Sequence, residues 1–382
     1  MTEYGASLQD SSPLRDVVAW ARTWWWLVGW WAGGRVVVFV TSIVVATVGP
    51  VGYLRSELAR GPLSLLGSWD GLWYQRVASA GYLLVPGRQS DPAFFPLYPL
   101  LLRASHSLGL GYAIAGIIVS NVAFLVALVG FHELTREFLG RDLARRATRY
   151  LAVFPLSYVF SMVYPESLVL ALSVFAVVAA RRGNWLVAAL FAGSAALARP
   201  EALLVAVPLL GVAVHQYRTL TPARRGLAFG GVLAPLAGLV AYLLYLARVL
   251  HDPLAWSHAE QTWGRRFTPL GFVHAIASVP TQAAQNPAVV RDLVAVVVYL
   301  VLLAVAFKAG APAAWLIAGT GVVVLPLFSG TVESIGRFGL LAPPIFWGLA
   351  AIGRGPGLDR TIVAVSTVLL AAATATVPYM FP

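Results

Sequence analysis

The sequence predicts an all-α polytopic membrane protein, and three observations carry that reading. Of the 382 residues, 59% are hydrophobic and only 11% are charged, less than half of the roughly 25% with which a soluble domain coats its surface. The mean hydropathy is +0.77. Apolar runs approaching the length of a bilayer crossing recur from Trp24 to the last residues with no heptad or triplet period, which excludes coiled coil, collagen and disorder. There are no cysteines, so disulfides, thiolate metal sites and a cysteine nucleophile are excluded as well. The net charge of +11 comes from arginines and the single Lys308, scattered between apolar runs rather than gathered on one face. That distribution argues for membrane topology and against nucleic acid as a partner.

Residues 1–23 are too polar and acidic for a cleaved signal segment and read as a short cytoplasmic tail. Residues 24–382 read as a single integral membrane domain. Eleven apolar runs follow, at 24–48, 112–131, 150–162, 168–180, 185–198, 202–214, 227–250, 293–307, 313–328, 338–352 and 362–377. Several are shorter than the roughly 20 residues of a straight crossing and need extension through flanking Pro, Gly and Arg. The segment 94–108 reads either as a twelfth crossing or as a helix in the interface. With the N-terminus inside and that segment interfacial, the gaps REFLGRDLARRATR, ARRGN, QYRTLTPARR and GRGPGLDR fall inside together with Lys308. The inner segments and tail then hold 15 Lys+Arg and 7 Asp+Glu, against 12 and 9 elsewhere. The excess lies inside, as the positive-inside rule requires.

This topology places two long loops outside, 49–92 and 251–291, joined by short outer turns at 163–166, 199–201 and 329–337. The first loop holds SWDGLWYQRVASAGY, with Asp70 flanked by Trp69, Trp73 and Tyr74. A carboxylate desolvated among rings suits a general base; Asp before Gly71 equally suits a turn inside an aromatic belt. Glu166, Arg199 and Glu201 stand at helix ends, where capping explains the acids, while Arg199 caps carbonyls, pairs with Glu166 or reaches a phosphate. The second loop mixes His258, Glu260, Gln261, Trp263, Arg265 and Arg266. Paired arginines match a phosphate by their guanidinium forks and also match anionic headgroups. His258 and Glu260 are spaced poorly for two metal ligands on one helical face, and no HExxH occurs. Glu333 and Arg337, four apart, read as an ion pair or as a phosphate ligand on Arg337. No P-loop, GxGxxG or GxSxG pattern appears.

The segments SWDGLWYQRVASAGY, FFPLYPLL, YPESLVLALSVFAVVAARRGNWLVAALFAGSAALARPEALLVAVPLL, HDPLAWSHAEQTWGR and SIGRFGLLAPPIF, in this order and spacing, resemble the PIG-V-type mannosyltransferases of the GT-C glycosyltransferase superfamily. The resemblance runs from about residue 24 to 352. It implies a GT-C fold with about eleven transmembrane helices and a long first extracytoplasmic loop containing membrane-lying helices. It also implies inverting transfer of a sugar, most often mannose, from a polyprenyl-phosphate donor to a hydroxyl of a glycolipid, glycan or glycoprotein. By position the catalytic acid is Asp70. On this reading Arg265, Arg266, Arg337 and Arg199 hold the donor phosphate, and Glu166, Glu201, Trp69, Tyr74, His258, Glu260 and Trp263 bind sugar or acceptor. Asp70 departs from the paired acids of many superfamily members, so no cofactor is expected and a divalent metal stays open. Short loops and the near-exclusive use of Arg over Lys suggest a bacterial plasma membrane. A transporter or flippase of lipid-linked sugars, transfer of arabinose or glucose, and a non-catalytic scaffold remain as alternatives. The first needs polar residues at mid-membrane, and the runs hold few beyond Arg35 and Arg248.

Overall fold

The computed structural model describes residues 13–48 and 61–382, with side chains from Trp24 onward. Residues 1–12 of the expected tail and 49–60 of the expected first loop lie outside the described residues. The described chain is helical throughout, with no strand. Helix α1 (Pro13–Val48) contains the first apolar run and is followed by α2 (Asp70–Ala80) and α3 (Leu97–His106). At 10 residues α3 is roughly 15 Å long, half a hydrocarbon core, so 94–108 is not a straight crossing. Next come α4 (Tyr112–Leu139), α5 (Arg141–Val153), α6 (Glu166–Arg181), α7 (Trp185–Ala198), α8 (Ala206–Gln216) and α9 (Pro222–Leu250). The second loop forms three short helices, α10 (Ala255–Thr262), α11 (Gly271–Ala277) and α12 (Val279–Gln285). The chain ends with α13 (Ala288–Lys308), α14 (Ala313–Val324), the single turn α15 (Ile335–Phe338), α16 (Pro343–Ile352) and α17 (Pro356–Thr376).

Helix α6 packs between α4 and α7, α7 lies along α9, and α13 and α5 flank α16. Aromatic side chains fill the centre: Phe124 stacks on Phe160 at 4.3 Å, and Phe131 and Phe154 meet Phe346 edge to face. The outer faces are apolar too. Val36, Val40 and Val44 on α1, Leu233, Leu236, Val240 and Leu244 on α9, and Val290, Val294, Val297 and Val301 on α13 are all exposed. Each set recurs at three- or four-residue spacing, so it forms a stripe that water would not tolerate and lipid would. Five helices among the described residues are long and apolar enough to cross a membrane: Trp24–Val48, Tyr112–Leu139, Pro222–Leu250, Ala288–Lys308 and Pro356–Thr376. The chain is a polytopic membrane protein.

Several of the expected runs are broken or change helix type. The run 150–162 ends as helix at Val153, because Pro155 excludes the helical conformation at Phe154, and resumes as a 3-10 turn at Ser157–Ser161. Its helix begins nine residues earlier, inside the expected arginine-rich loop, after Gly140 closes α4 with φ of 84°. The run 202–214 opens with a 3-10 segment, Pro200–Val205. The run 338–352 bends by 84° between Ile335–Leu341 and Pro343–Ile352.

Arg35 explains how the first break is tolerated. Its guanidinium is buried in the bundle and donates to the carbonyls of Ala152 and Ser157 and to the hydroxyls of Ser157 and Ser161. It satisfies carbonyls that the interrupted helix leaves free, so both of its terminal nitrogens are occupied by the fold.

Close helix packing yields a first expectation. A Cβ added at Gly348 would overlap the carbonyl of Leu302, where α16 crosses α13, whereas one at Gly226 meets open space. Gly348→Ala should therefore destabilise the purified protein by about 1 to 3 kcal/mol, seen as a lower Tm in detergent. Gly226→Ala should leave Tm unchanged or slightly raised. Equal melting of the two variants would contradict this packing.

Candidate active site

Two helices aim their N-terminal ends at one place. Asp70 is the first residue of α2 and Glu166 the first of α6, positions where the positive end of the helix dipole favours a carboxylate. Both acids are buried, at 6% and 0% exposure, and burial of a charge demands a counter-charge. Arg337, on the turn α15, supplies it: Nη2 lies 2.6 Å from Asp70 Oδ2 and Nη1 3.7 Å from Glu166 Oε1. Arg199 continues the chain of charges, with Nη1 2.6 Å from Glu166 Oε1 and a two-pronged contact to Glu201 at 2.9 and 3.0 Å. Arg265 Nη1 sits 3.5 Å from Glu260 Oε2. The arginines also share an aromatic wall, since the guanidinium carbons of Arg199, Arg265 and Arg337 lie within 6 Å of the Phe338 ring.

The backbone around this network is forced. Trp69 has φ of 57° and Ser334 φ of 72°, conformations that cost a non-glycine residue about 1 to 3 kcal/mol. Each is held from several sides. Trp69 Nε1 donates to the carbonyl of Val377, its ring meets Phe381 edge to face, and the amide of Asp70 donates to the Tyr164 hydroxyl. The Ser334 amide donates to Asp292 Oδ2 at 2.6 Å, and Asp292 is itself gripped by Arg291. The Ser334 hydroxyl then accepts from both Arg265 and Arg337, bringing the two guanidinium groups to a single oxygen.

A small pocket of about 50 Å³ opens on this network, with Asp70, Tyr74, Glu201, Glu260, Trp263 and Arg265 among its walls. Arg199, Arg337 and Phe381 also line it. A larger and mostly apolar groove of about 690 Å³ adjoins it and shares Glu201, Glu260 and Arg265. Among the described residues the Asp70 carboxylate is gripped through Oδ2, by Arg337. Among the described residues no three acidic or histidine side chains converge as metal ligands; Asp70, Glu166 and Glu201 each face an arginine instead.

The structure thus unites Asp70, Tyr74, Glu201, Glu260, Trp263, Arg199, Arg265 and Arg337 around one pocket, with Glu166 beneath it. It does not place His258, Arg266 or Trp69 there. His258 is exposed and bonds Asp252 at 2.7 Å. Arg266 is exposed and lines the groove, and the Trp69 ring turns toward Val377 and Phe381. Glu333 does not pair with Arg337, because the left-handed Ser334 interrupts any helix between them; Glu333 accepts from Asn286 instead. Tyr164, Ser334, Asp292 and Phe381 join the site without being among the residues expected from the sequence. Tyr164 is two residues from Glu166, and Asp292 sits at the edge of an apolar run. Ser334 and Phe381 carried no local signal.

Apolar helices with lipid-suited outer faces, enclosing a polar pocket beside an apolar groove, make this an integral membrane protein. The family model Mannosyltransferase (PIG-V) matches residues 49–251, more than half of the chain, and the chain belongs to that family. It is a membrane glycosyltransferase that acts with mannose. No curated protein matches it. The matched stretch contains Asp70, Glu166, Arg199 and Glu201 and ends before Glu260, Arg265 and Arg337.

Glu260 yields a pH expectation. Burial pushes its carboxyl above the usual glutamate range, opposed by Arg265 and reinforced by Glu201. The folded state therefore keeps this proton to a higher pH than the unfolded chain, so Glu260 costs stability as pH rises from the ordinary glutamate range through the raised value. Glu260→Gln removes that loss. The Tm of the variant minus that of the wild type should rise as pH climbs above the ordinary glutamate range; a flat or falling difference would refute the shift.

Proposed function

We propose that the protein transfers mannose from a polyprenyl-phosphate donor to an acceptor hydroxyl with inversion, using Asp70 as general base. The observation that carries this reading is the junction of an acid–arginine pocket with an apolar groove through Glu201, Glu260 and Arg265. A lipid-linked sugar phosphate is such an amphiphile: its prenyl chain suits the groove and its sugar the pocket. Arg265 belongs to both cavities, which makes it the first choice for the phosphate between them. Arg337 and Arg199 are committed to carboxylates and act chiefly by fixing Asp70 and Glu166. Arg266, at the groove, is a second phosphate ligand.

In the proposed step the acceptor hydroxyl gives its proton to Asp70 Oδ1 while its oxygen attacks the anomeric carbon. The bond from that carbon to the phosphate oxygen breaks, and the lipid phosphate leaves with charge neutralised by Arg265. One carboxylate suffices for such a displacement, which inverts the centre. Tyr74, Trp263, Glu201 and Glu260 supply ring faces and acceptors for sugar hydroxyls. The acceptor is a hydroxyl of a glycolipid, glycan or glycoprotein. We place the pocket on the extracytoplasmic face of a bacterial plasma membrane, in a GT-C arrangement of about eleven crossings with the N-terminus inside, on the arginine distribution.

Two measurements test the proposal. Asp70→Asn keeps an oxygen for Arg337 but cannot take the acceptor's proton, so mannosyl transfer from polyprenyl-phosphate mannose should fall about a hundredfold to ten-thousandfold in protein that still elutes as a folded species. Retention of more than about a tenth of the wild-type rate would remove Asp70 as base. For sidedness, Gln89 and Thr219 are exposed, whereas the neighbouring Ser90 is buried and bonded to its own turn. Gln89→Cys should react with an impermeant maleimide on intact cells and Thr219→Cys only after lysis; the reverse pattern would invert the topology.

A further inference from the structure

We propose that the opposite end of the bundle holds a second binding site, for the phosphate of an anionic membrane lipid. The distance from the active site follows from α4. Ser120 bonds the carbonyl of Tyr164 at the active-site end. His132 and Arg136 lie twelve and sixteen residues further along the same helix, roughly 18 and 24 Å away. There a cavity of about 810 Å³ is walled by Trp24, Trp26 and Trp30 of α1 and by arginines of α4 and α5.

The charges of this cavity are unevenly spent. Arg136 is paired with Glu133 at 2.7 Å, and Arg149 reaches both oxygens of Asp359 at 3.0 Å. Arg146 donates to the carbonyl of Ala350. Arg141 and Arg145 are exposed and form no ion pair among the described residues. They stand four apart on α5 and so share a face of the helix. Arg145 is held in place by stacking 5.6 Å over Trp26, whose ring, with that of Trp24, packs edge-on against His132. The first turn of α5 also lines the cavity through Arg141 and Asp142, and its N-cap is Gly140, which offers no capping side chain. Two forked cations, which outnumber the single first-turn acid Asp142, make an anion site with phosphate geometry.

The tryptophans identify the source of that phosphate. Trp24 and Trp26 flank Trp25, which is 70% exposed, and the same helix continues with the exposed stripe Val36, Val40 and Val44. Tryptophans above a lipid-facing stripe mark headgroup depth, where the phosphates belong to lipids and where basic side chains select anionic ones. This site lies outside the acid–arginine pocket and does not depend on its chemistry.

The test uses the full-length protein purified in detergent, with phosphatidylglycerol, phosphatidylcholine and inorganic phosphate as probes, read by native mass spectrometry and by Tm. Phosphatidylglycerol should be retained in preference to phosphatidylcholine. The double variant Arg141→Gln with Arg145→Gln should weaken that retention about tenfold or more, while Arg182→Gln, an exposed arginine outside the cavity, should leave it unchanged. Should the double variant misfold, Arg141→Gln alone gives the same reading at smaller amplitude, because its side chain stacks on no ring among the described residues. Equal retention of the two lipids, or an unchanged preference in the arginine variants, overturns the site. Arginine-dependent stabilisation by inorganic phosphate with none by phosphatidylglycerol overturns the lipid assignment.

Discussion

A guanidinium withdrawn from water must find acceptors inside the fold, and Arg337, at 4% exposure, finds two carboxylates. Removing one partner of such a buried pair costs about 3 to 5 kcal/mol, because the other is left charged and unpaired. The cost is shared here along a chain of alternating signs, from Asp70 through Arg337, Glu166 and Arg199 to Glu201. No member can move without exposing a neighbour. The network therefore fixes the relative positions of α2, α6, the turn α15 and the 3-10 segment after α7, which come from distant parts of the sequence. The pocket at its surface inherits that rigidity.

Strain is stored where the network is tightest. Two of the three non-glycine residues with positive φ among the described residues, Trp69 and Ser334, stand beside the Asp70–Arg337 pair. Both conformations are held by long-range partners: Val377 and Phe381 for Trp69, Asp292 for Ser334. Residues near the C-terminal end thus support an acid near the start of the matched family region. Arg291 ties the two supports together, since it grips Asp292 and donates to the carbonyl of Phe381.

Composition and apolar periodicity made the membrane class and most helices legible, because lipid imposes a uniform demand on every outward face. They failed where a helix breaks within an apolar stretch. The 150–162 run read as one span although Pro155 divides it, and the internal carbonyls it frees are satisfied by Arg35, from a helix more than a hundred residues away. The site was legible as a set of candidates on one face, and Asp70, Arg199, Arg265 and Arg337 did come together. Their pairing was not legible. An i,i+4 rule linked Arg337 to Glu333, but a single left-handed residue turned the guanidinium toward Asp70 instead. Local spacing predicts partners only while the helix continues.

The same contrast separates the two arginine-rich ends of the molecule. At the end that holds the acid–arginine pocket most guanidinium groups meet carboxylates, and aromatic rings wall the remaining space, so cations there organise acids. At the far end Arg141 and Arg145 have tryptophan and solvent for neighbours, so their charge is available to an outside anion. Burial is what divides the two roles. A buried arginine must find its acceptors within the fold and acts through the groups it holds, whereas one at headgroup depth keeps its hydration and can exchange it for a lipid phosphate. The positive charge of this protein is therefore spent in two ways, on positioning at one end and on recognition at the other.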